Sequence, residues 1–152
     1  MSIYIGIDPG KSGAMAVIIT DENNQPFTVK TVAFDETEYC KMLAECVSSR
    51  VICCIEKVSA MPGQGVVSMF NFGRNLGYSE GLLQANKISY QLVPPQTWKK
   101  EFSLIGKDKQ ASIEVCRRLF PHANLLATSR SRKPHDGIAE ALLMAEYARR
   151  KL

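Results

Sequence analysis

Four carboxylates stand in apolar surroundings in this chain. Asp8 ends the run Ile5-Gly-Ile-Asp8 and is followed by Pro9-Gly10; Glu56 ends Val51-Ile-Cys-Cys-Ile-Glu56; Asp136 and Glu140 share the stretch His135-Asp136-Gly-Ile-Ala-Glu140-Ala-Leu142. An unpaired carboxylate taken out of water is costly, so each needs a reason to be there. For Asp8 two reasons compete: ordinary turn chemistry ahead of Pro-Gly, or a metal or phosphate site. Asp136 and Glu140 lie four apart and share one face of a helix near its N-terminus. Such a like-charged pair costs a few tenths of a kcal/mol even when exposed, and the helix dipole offsets only part of it. The bland alternative is that one of these acids caps the helix and the other pairs with a lysine. Taken together, four acids from distant segments can hold two hard divalent cations about 3.5–4 Å apart for an in-line displacement at phosphorus. One ion would activate the attacking water and the other would stabilise the leaving 3′ oxygen. An all-oxygen ligand set points to Mg²⁺, with Mn²⁺ as a substitute.

The acids must be positioned by the elements around them. Residues 2–8 and 14–20 read as two strands joined by the turn Pro9-Gly-Lys-Ser-Gly13, most simply an antiparallel hairpin. After the turn cluster Asp21–Pro26, Phe27 to Phe34 reads as a third strand. Residues 36–49 place Tyr39, Met42, Leu43, Cys46 and Val47 at helical spacing. Val51 to Val58 opens as a continuous apolar run, as expected of a strand buried on both faces. Residues 66–86 read as a helix in spite of Gly73, Gly77 and Gly81, which recur every fourth residue. Ile88 to Val93 is a fifth strand ended by Pro94-Pro95, with Trp98 a packed loop anchor beyond it. Helices follow at 108–120, with Ile113, Cys116, Leu119 and Phe120 inward, and at 134–152. The order is β-β-β-α-β-α-β-α-α. It predicts an α/β fold with a mixed five-stranded sheet, three antiparallel strands and then two parallel ones, flanked by helices on both faces. The first strand is central and the fourth lies parallel beside it, which brings Asp8 and Glu56 together. Two adjacent carboxylates repel unless a cation or a proton separates them.

At 152 residues, 45% hydrophobic and 22% charged, the chain reads as one soluble domain spanning 1–152. A formal charge of +4 permits a polyanionic partner without requiring one. No apolar run approaches the roughly 18 residues of a membrane span, and no secretory signal is evident. The five cysteines, Cys40, Cys46, Cys53, Cys54 and Cys116, lack zinc spacing and read as buried free thiols of a reducing, cytoplasmic compartment.

Three clusters carry a family resemblance: Ile-Gly-Ile-Asp8-Pro-Gly-x-Ser-Gly, Ile-Glu56-Lys-Val, and His135-Asp136-Gly-Ile-Ala-Glu140-Ala-Leu. In this order, over nearly the whole chain, they resemble the RuvC-type Holliday-junction resolvases of the RNase H-like superfamily. The resemblance implies a homodimeric, Mg²⁺-dependent endonuclease of DNA recombination and repair. Such an enzyme nicks two opposed strands of a four-way junction and leaves ends that a ligase can seal. By position it makes Asp8, Glu56, Asp136 and Glu140 the catalytic metal ligands, and it calls for no nucleotide cofactor and no membrane. The bacterial pattern has Asp as the last acid, three residues after the previous one. Glu140, four residues after Asp136, is closer to organellar and viral relatives, and a compact chain of this kind fits a phage or other mobile element as well as a cell. The bacterial pattern also places an aromatic wedge soon after the second acid, whereas here the stretch is Lys57-Val-Ser-Ala-Met61, leaving Met61 as the candidate.

Further residues invite a role. The resemblance makes Lys107 and Lys109, at a helix start, contacts to the scissile-strand phosphates; a solvated helix end is the other reading. Arg130, Arg132 and Lys133 lead into the last helix, where a basic loop would hold DNA beside the metals; a plain solvated loop is the other reading. Lys11 could touch phosphate from the first turn. His135 could shuttle a proton or simply hydrogen-bond its neighbouring acid. Met69, Phe70 and Phe72, with the glycine stripe, read as core or dimer interface. Two other functions use the same residues: a broader RNase H-like nuclease acting on branched DNA or RNA–DNA hybrids, and a non-catalytic junction-binding module. The first motif is shared with actin-like ATPases and sugar kinases, but those need two such lobes, and no P-loop motif is present.

Overall fold

A computed structural model describes residues 1–10 and 12–152, so Lys11 lies outside the described residues. Five strands form one mixed sheet in the order β3-β2-β1-β4-β5. They are β1 (Ser2–Asp8), β2 (Ala14–Thr20), β3 (Pro26–Ala33), β4 (Arg50–Glu56) and β5 (Ser89–Val93). β1 pairs antiparallel with β2 and β2 with β3, while β4 runs parallel to both β1 and β5. This is the sheet the sequence predicts, with β1 at its centre.

Alternation along β1 divides the interior in two. Ile3, Ile5 and Ile7 face one layer with Tyr39 and Leu43 of α1 (Glu36–Ala44) and Leu83 of α2 (Val66–Ala85). Tyr4 faces the other, with Cys54 and the final helix α5 (Asp136–Lys151). α5 is the helix that organises the molecule. Residues from Gly137 to Ala148 are buried almost without interruption, because β1 and β2 cover one side and α4 (Lys109–Leu119) another. Burying Leu142 and Leu143 alone contributes about 1.5–3 kcal/mol each. The contact is close enough that a Cβ on Gly6 of β1 would overlap the Ala141 carbonyl oxygen and the Ala145 amide nitrogen.

Several expectations are corrected. Pro94-Pro95 does not open a loop: a short helix, α3 (Pro95–Glu101), begins there and carries Trp98 fully buried. Pro95 is tolerated at the helix start because its missing N–H would have had no intrahelical partner. α1 ends at Ala44 with Glu45 as its C-cap, so Val47 is 80% exposed rather than inward. Cys40 is exposed and Cys46 half-buried, whereas Cys53, Cys54 and Cys116 are buried, and all five are free. The glycine stripe of α2 is not core: a Cβ on Gly73, Gly77 or Gly81 would meet nothing within 4 Å, and Val66, Val67 and Phe70 are exposed. Among the described residues no helix is long and apolar enough to cross a membrane.

Candidate active site

Asp8 and Glu56 close two adjacent parallel strands, one register step beyond the pair Ile7–Ile55. Both lie on the sheet face that α5 covers. The β1–β2 turn meets the first turn of α5 so closely that a Cβ on Gly137 would overlap the Ser12 carbonyl oxygen. Gly137 therefore lets the acids of α5 approach Asp8.

Asp8 meets the turn reading. Its Oδ1 accepts the Gly10 N–H at 3.0 Å, which is turn chemistry. Burial holds its carboxyl above the usual carboxylate range, against the Gly10 N–H and the neighbouring Glu140 side chain, which lower it. Burial, then the charges of Asp8 and Glu56, push Glu140 up to about 7. Burial raises Glu56 as well; the Trp98 N–H draws it back down and the charge of Asp8 adds to the rise. Three carboxyls thus converge and repel. Among the described residues no lysine or arginine forms an ion pair with any of them.

Asp136 behaves differently. Its Oδ2 lies 2.7 Å from Lys109 Nζ, and that bond holds its carboxyl below the usual range. Half of the bland alternative is therefore met, since one helix-start acid pairs with a lysine. The cap, however, is His135, whose Nδ1 accepts the Ile138 N–H at 3.1 Å. That bond fixes the proton on Nε2, the one ring nitrogen left for other partners.

Among the described basic residues, Lys109 alone forms an ion pair with an acid of the cluster. Lys107 is exposed in the turn before α4, where Gly106 takes a left-handed φ of +74°. Arg130, Arg132 and Lys133 are exposed in the segment leading to α5. Met61 is 62% exposed, in the loop after β4. It borders an open apolar cleft of about 580 Å³ lined also by Lys57, Met69, Phe72, Leu76 and Gln96.

Sequence reasoning missed Trp98, whose Nε1–H donates to Glu56 Oε2 at 2.8 Å across 42 residues. A tryptophan shortly after a strand end was the only signal available.

The donor set fits a hard divalent cation: three mutually repelling carboxyls, with Asp136 at the edge and no soft ligand in reach. Burial pushes the neighbouring Cys54 and Cys116 thiols up to about 12, so neither supplies a thiolate near neutral pH. Among the described residues, no group of three or more His, Cys, Asp or Glu side chains is already arranged to grip one ion. Glu56 and Asp136 are each held by partners of their own, Trp98 and Lys109.

No protein-family model matches this chain, and no curated protein sequence does. Solved structures do. The structure described as T. thermophilus RuvC in complex with Holliday junction substrate superposes with a TM-score of 0.64 at 12% identity, over 94% of this chain and 90% of that one. A second Thermus thermophilus RuvC structure gives a TM-score of 0.57 at 15% identity, over 98% of this chain and 96% of that one. Identity this low speaks to architecture, and over nearly its full length the chain has the RuvC-type, RNase H-like fold.

Proposed function

We propose that this chain is a metal-dependent endodeoxyribonuclease that resolves four-way DNA junctions by paired, symmetric nicks in recombination and repair. The observation that carries the reading is the convergence of Asp8, Glu56 and Glu140. Burial raises all three; the charge of Asp8 adds to the rise of Glu56, those of Asp8 and Glu56 to the rise of Glu140, and among the described residues no lysine or arginine forms an ion pair with any of them. A cluster of that kind is costly to keep unless a cation or a proton joins it.

Asp8, Glu56, Asp136 and Glu140 would hold the ions, Mg²⁺ first and Mn²⁺ in its place. Bound there, such ions supply water activation and charge neutralisation at phosphorus. The chain's own residues do the rest. Lys109 releases Asp136 when that acid turns inward, and its ammonium is then free to meet a scissile-strand phosphate. His135, with Nδ1 committed to the helix cap, exchanges a proton through Nε2. Lys107, Arg130, Arg132 and Lys133 form an exposed basic rim that neutralises flanking phosphates.

Two opposed nicks need two sites related by a two-fold axis, so the active form is a homodimer. The exposed face of α2, with Val66, Val67, Phe70 and its open glycine stripe, is the surface assigned to the second copy. The chain acts as one domain in a reducing compartment, in keeping with five free thiols of which Cys53, Cys54 and Cys116 are buried.

The test is cleavage of a labelled four-way junction with Mg²⁺, beside a linear duplex and an RNA–DNA hybrid of the same sequence. Paired, religatable nicks in the junction alone are expected. Cutting of the hybrid would move the function to a broader nuclease, and tight junction binding without cutting would leave a binding module.

A further inference from the structure

We propose that Trp98 is a positioning residue for Glu56, fixing which carboxylate oxygen faces a bound cation; the inference rests on the metal-dependent reading above. Trp98 is fully buried on α3, and its Nε1–H donates to Glu56 Oε2 at 2.8 Å. A buried indole N–H needs an acceptor, and here the acceptor is a carboxylate of the reactive cluster rather than a backbone carbonyl. A hydrogen bond to an ionised acceptor is stronger than a neutral one, and it occupies Oε2. Oε1 is left as the oxygen for a cation. Without that tether, Glu56 would have its side-chain torsions to itself and would lose more freedom on gripping an ion.

Two features make the tether firm. Lys99 Nζ lies 5.6 Å from the centroid of the Trp98 ring, a cation–π contact that draws on the ring electrons and strengthens the N–H as a donor. The position of α3 is set by Phe102 and Leu104, both buried directly after it. β4 supplies the carboxylate and α3 supplies the bracket that aims it.

Trp98 is the only tryptophan in the chain, which makes the test clean. Mg²⁺ affinity is measured by calorimetry on the wild type, on Trp98→Phe, and on protein in which the indole is replaced by β-(3-benzothienyl)alanine. That analogue keeps the shape and lacks the N–H, so it preserves the packing that the smaller ring of Trp98→Phe gives up. Removing a partner of a metal ligand typically costs about 10–100-fold in affinity, and that loss is expected in both variants. In the wild type, Mn²⁺ should quench Trp98 emission with a midpoint matching its calorimetric affinity, and Glu56→Gln should displace that midpoint. A benzothienyl protein that binds Mg²⁺ as the wild type does would overturn the inference and reduce Trp98 to packing. A wild type that takes up no Mg²⁺ at all would instead remove the metal-dependent reading, and the inference with it.

Discussion

α5 carries two acids in its core-facing run, and they are treated in opposite ways. Glu146 is 2% exposed, and both of its oxygens are occupied by guanidinium groups: Arg149 at 2.7 Å to each, and Arg150 at 2.7 Å. Glu140, less than two turns earlier on the same helix, meets Asp8 and Glu56 instead. A carboxylate buried for structural reasons brings its own cations, as Glu146 does. A carboxylate buried among other carboxylates leaves its neutralisation to something from outside. The difference separates an acid neutralised by arginines of its own helix from one that, among the described residues, has no cation paired to it.

The two acid clusters can be broken separately. Glu146→Gln leaves two arginines with a buried partner that no longer carries charge, and should lower unfolding free energy by about 3–5 kcal/mol in urea titration. Below its melting temperature that variant should keep wild-type cleavage. Asp8→Asn should do the reverse: cleavage of the junction is abolished, while junction binding measured by gel shift is kept or improved. Near wild-type cutting by Asp8→Asn would remove the metal assignment.

Glu140→Gln sharpens the contrast through pH. The folded-state value of Glu140 is raised from 4.5 to about 7. Its stabilising contribution is therefore full below about 4.5 and is lost as pH rises through about 7. In metal-free protein Glu140→Gln should be more stable than the wild type at pH 8 by on the order of 2 kcal/mol, and no more stable at pH 4. Mg²⁺ at a hundredfold excess over its Kd should stabilise the wild type by about 2.7 kcal/mol, and the variant by less. Thermal melts across pH, with and without Mg²⁺, read both effects.

The smallest effect concerns the exposed face of α2. Gly77→Ala meets nothing within 4 Å and should stabilise the chain by up to about 1 kcal/mol through helix propensity. Phe70→Glu should leave the melting temperature unchanged while shifting sedimentation towards the monomer. A Phe70→Glu protein that remains a dimer would move the proposed interface elsewhere.

β1 and β2 were legible to the residue, because two short apolar runs are separated by a Gly-rich turn and closed by the turn cluster after Thr20. The parallel placement of β4 followed from the helix before it. α3 was not legible, because a proline pair reads as a stop although Pro also suits the first helical position. α1 was drawn too long because Cys46 and Val47 continue its spacing after the backbone has left the helix. The four acids were legible as types in context. Their partners were not: Trp98 reaches Glu56 across 42 residues, and Lys109 reaches Asp136 from a neighbouring helix. Such contacts depend on how elements dock, which local spacing does not record.

The alternation of β1 also bears on which length changes the chain can survive. Ile3, Ile5 and Ile7 serve one layer while Tyr4, Gly6 and Asp8 serve the other. One codon added or lost between Ile3 and Ile7 would turn Asp8 to the wrong side and set an isoleucine against the backbone of α5, where only glycine fits. The turn at Asp21–Gln25 on the opposite end of the sheet is under no such rule. In a gene lineage of this fold, insertions should therefore collect in that turn, and the reading frame from Ser2 to Gly13 should keep its length.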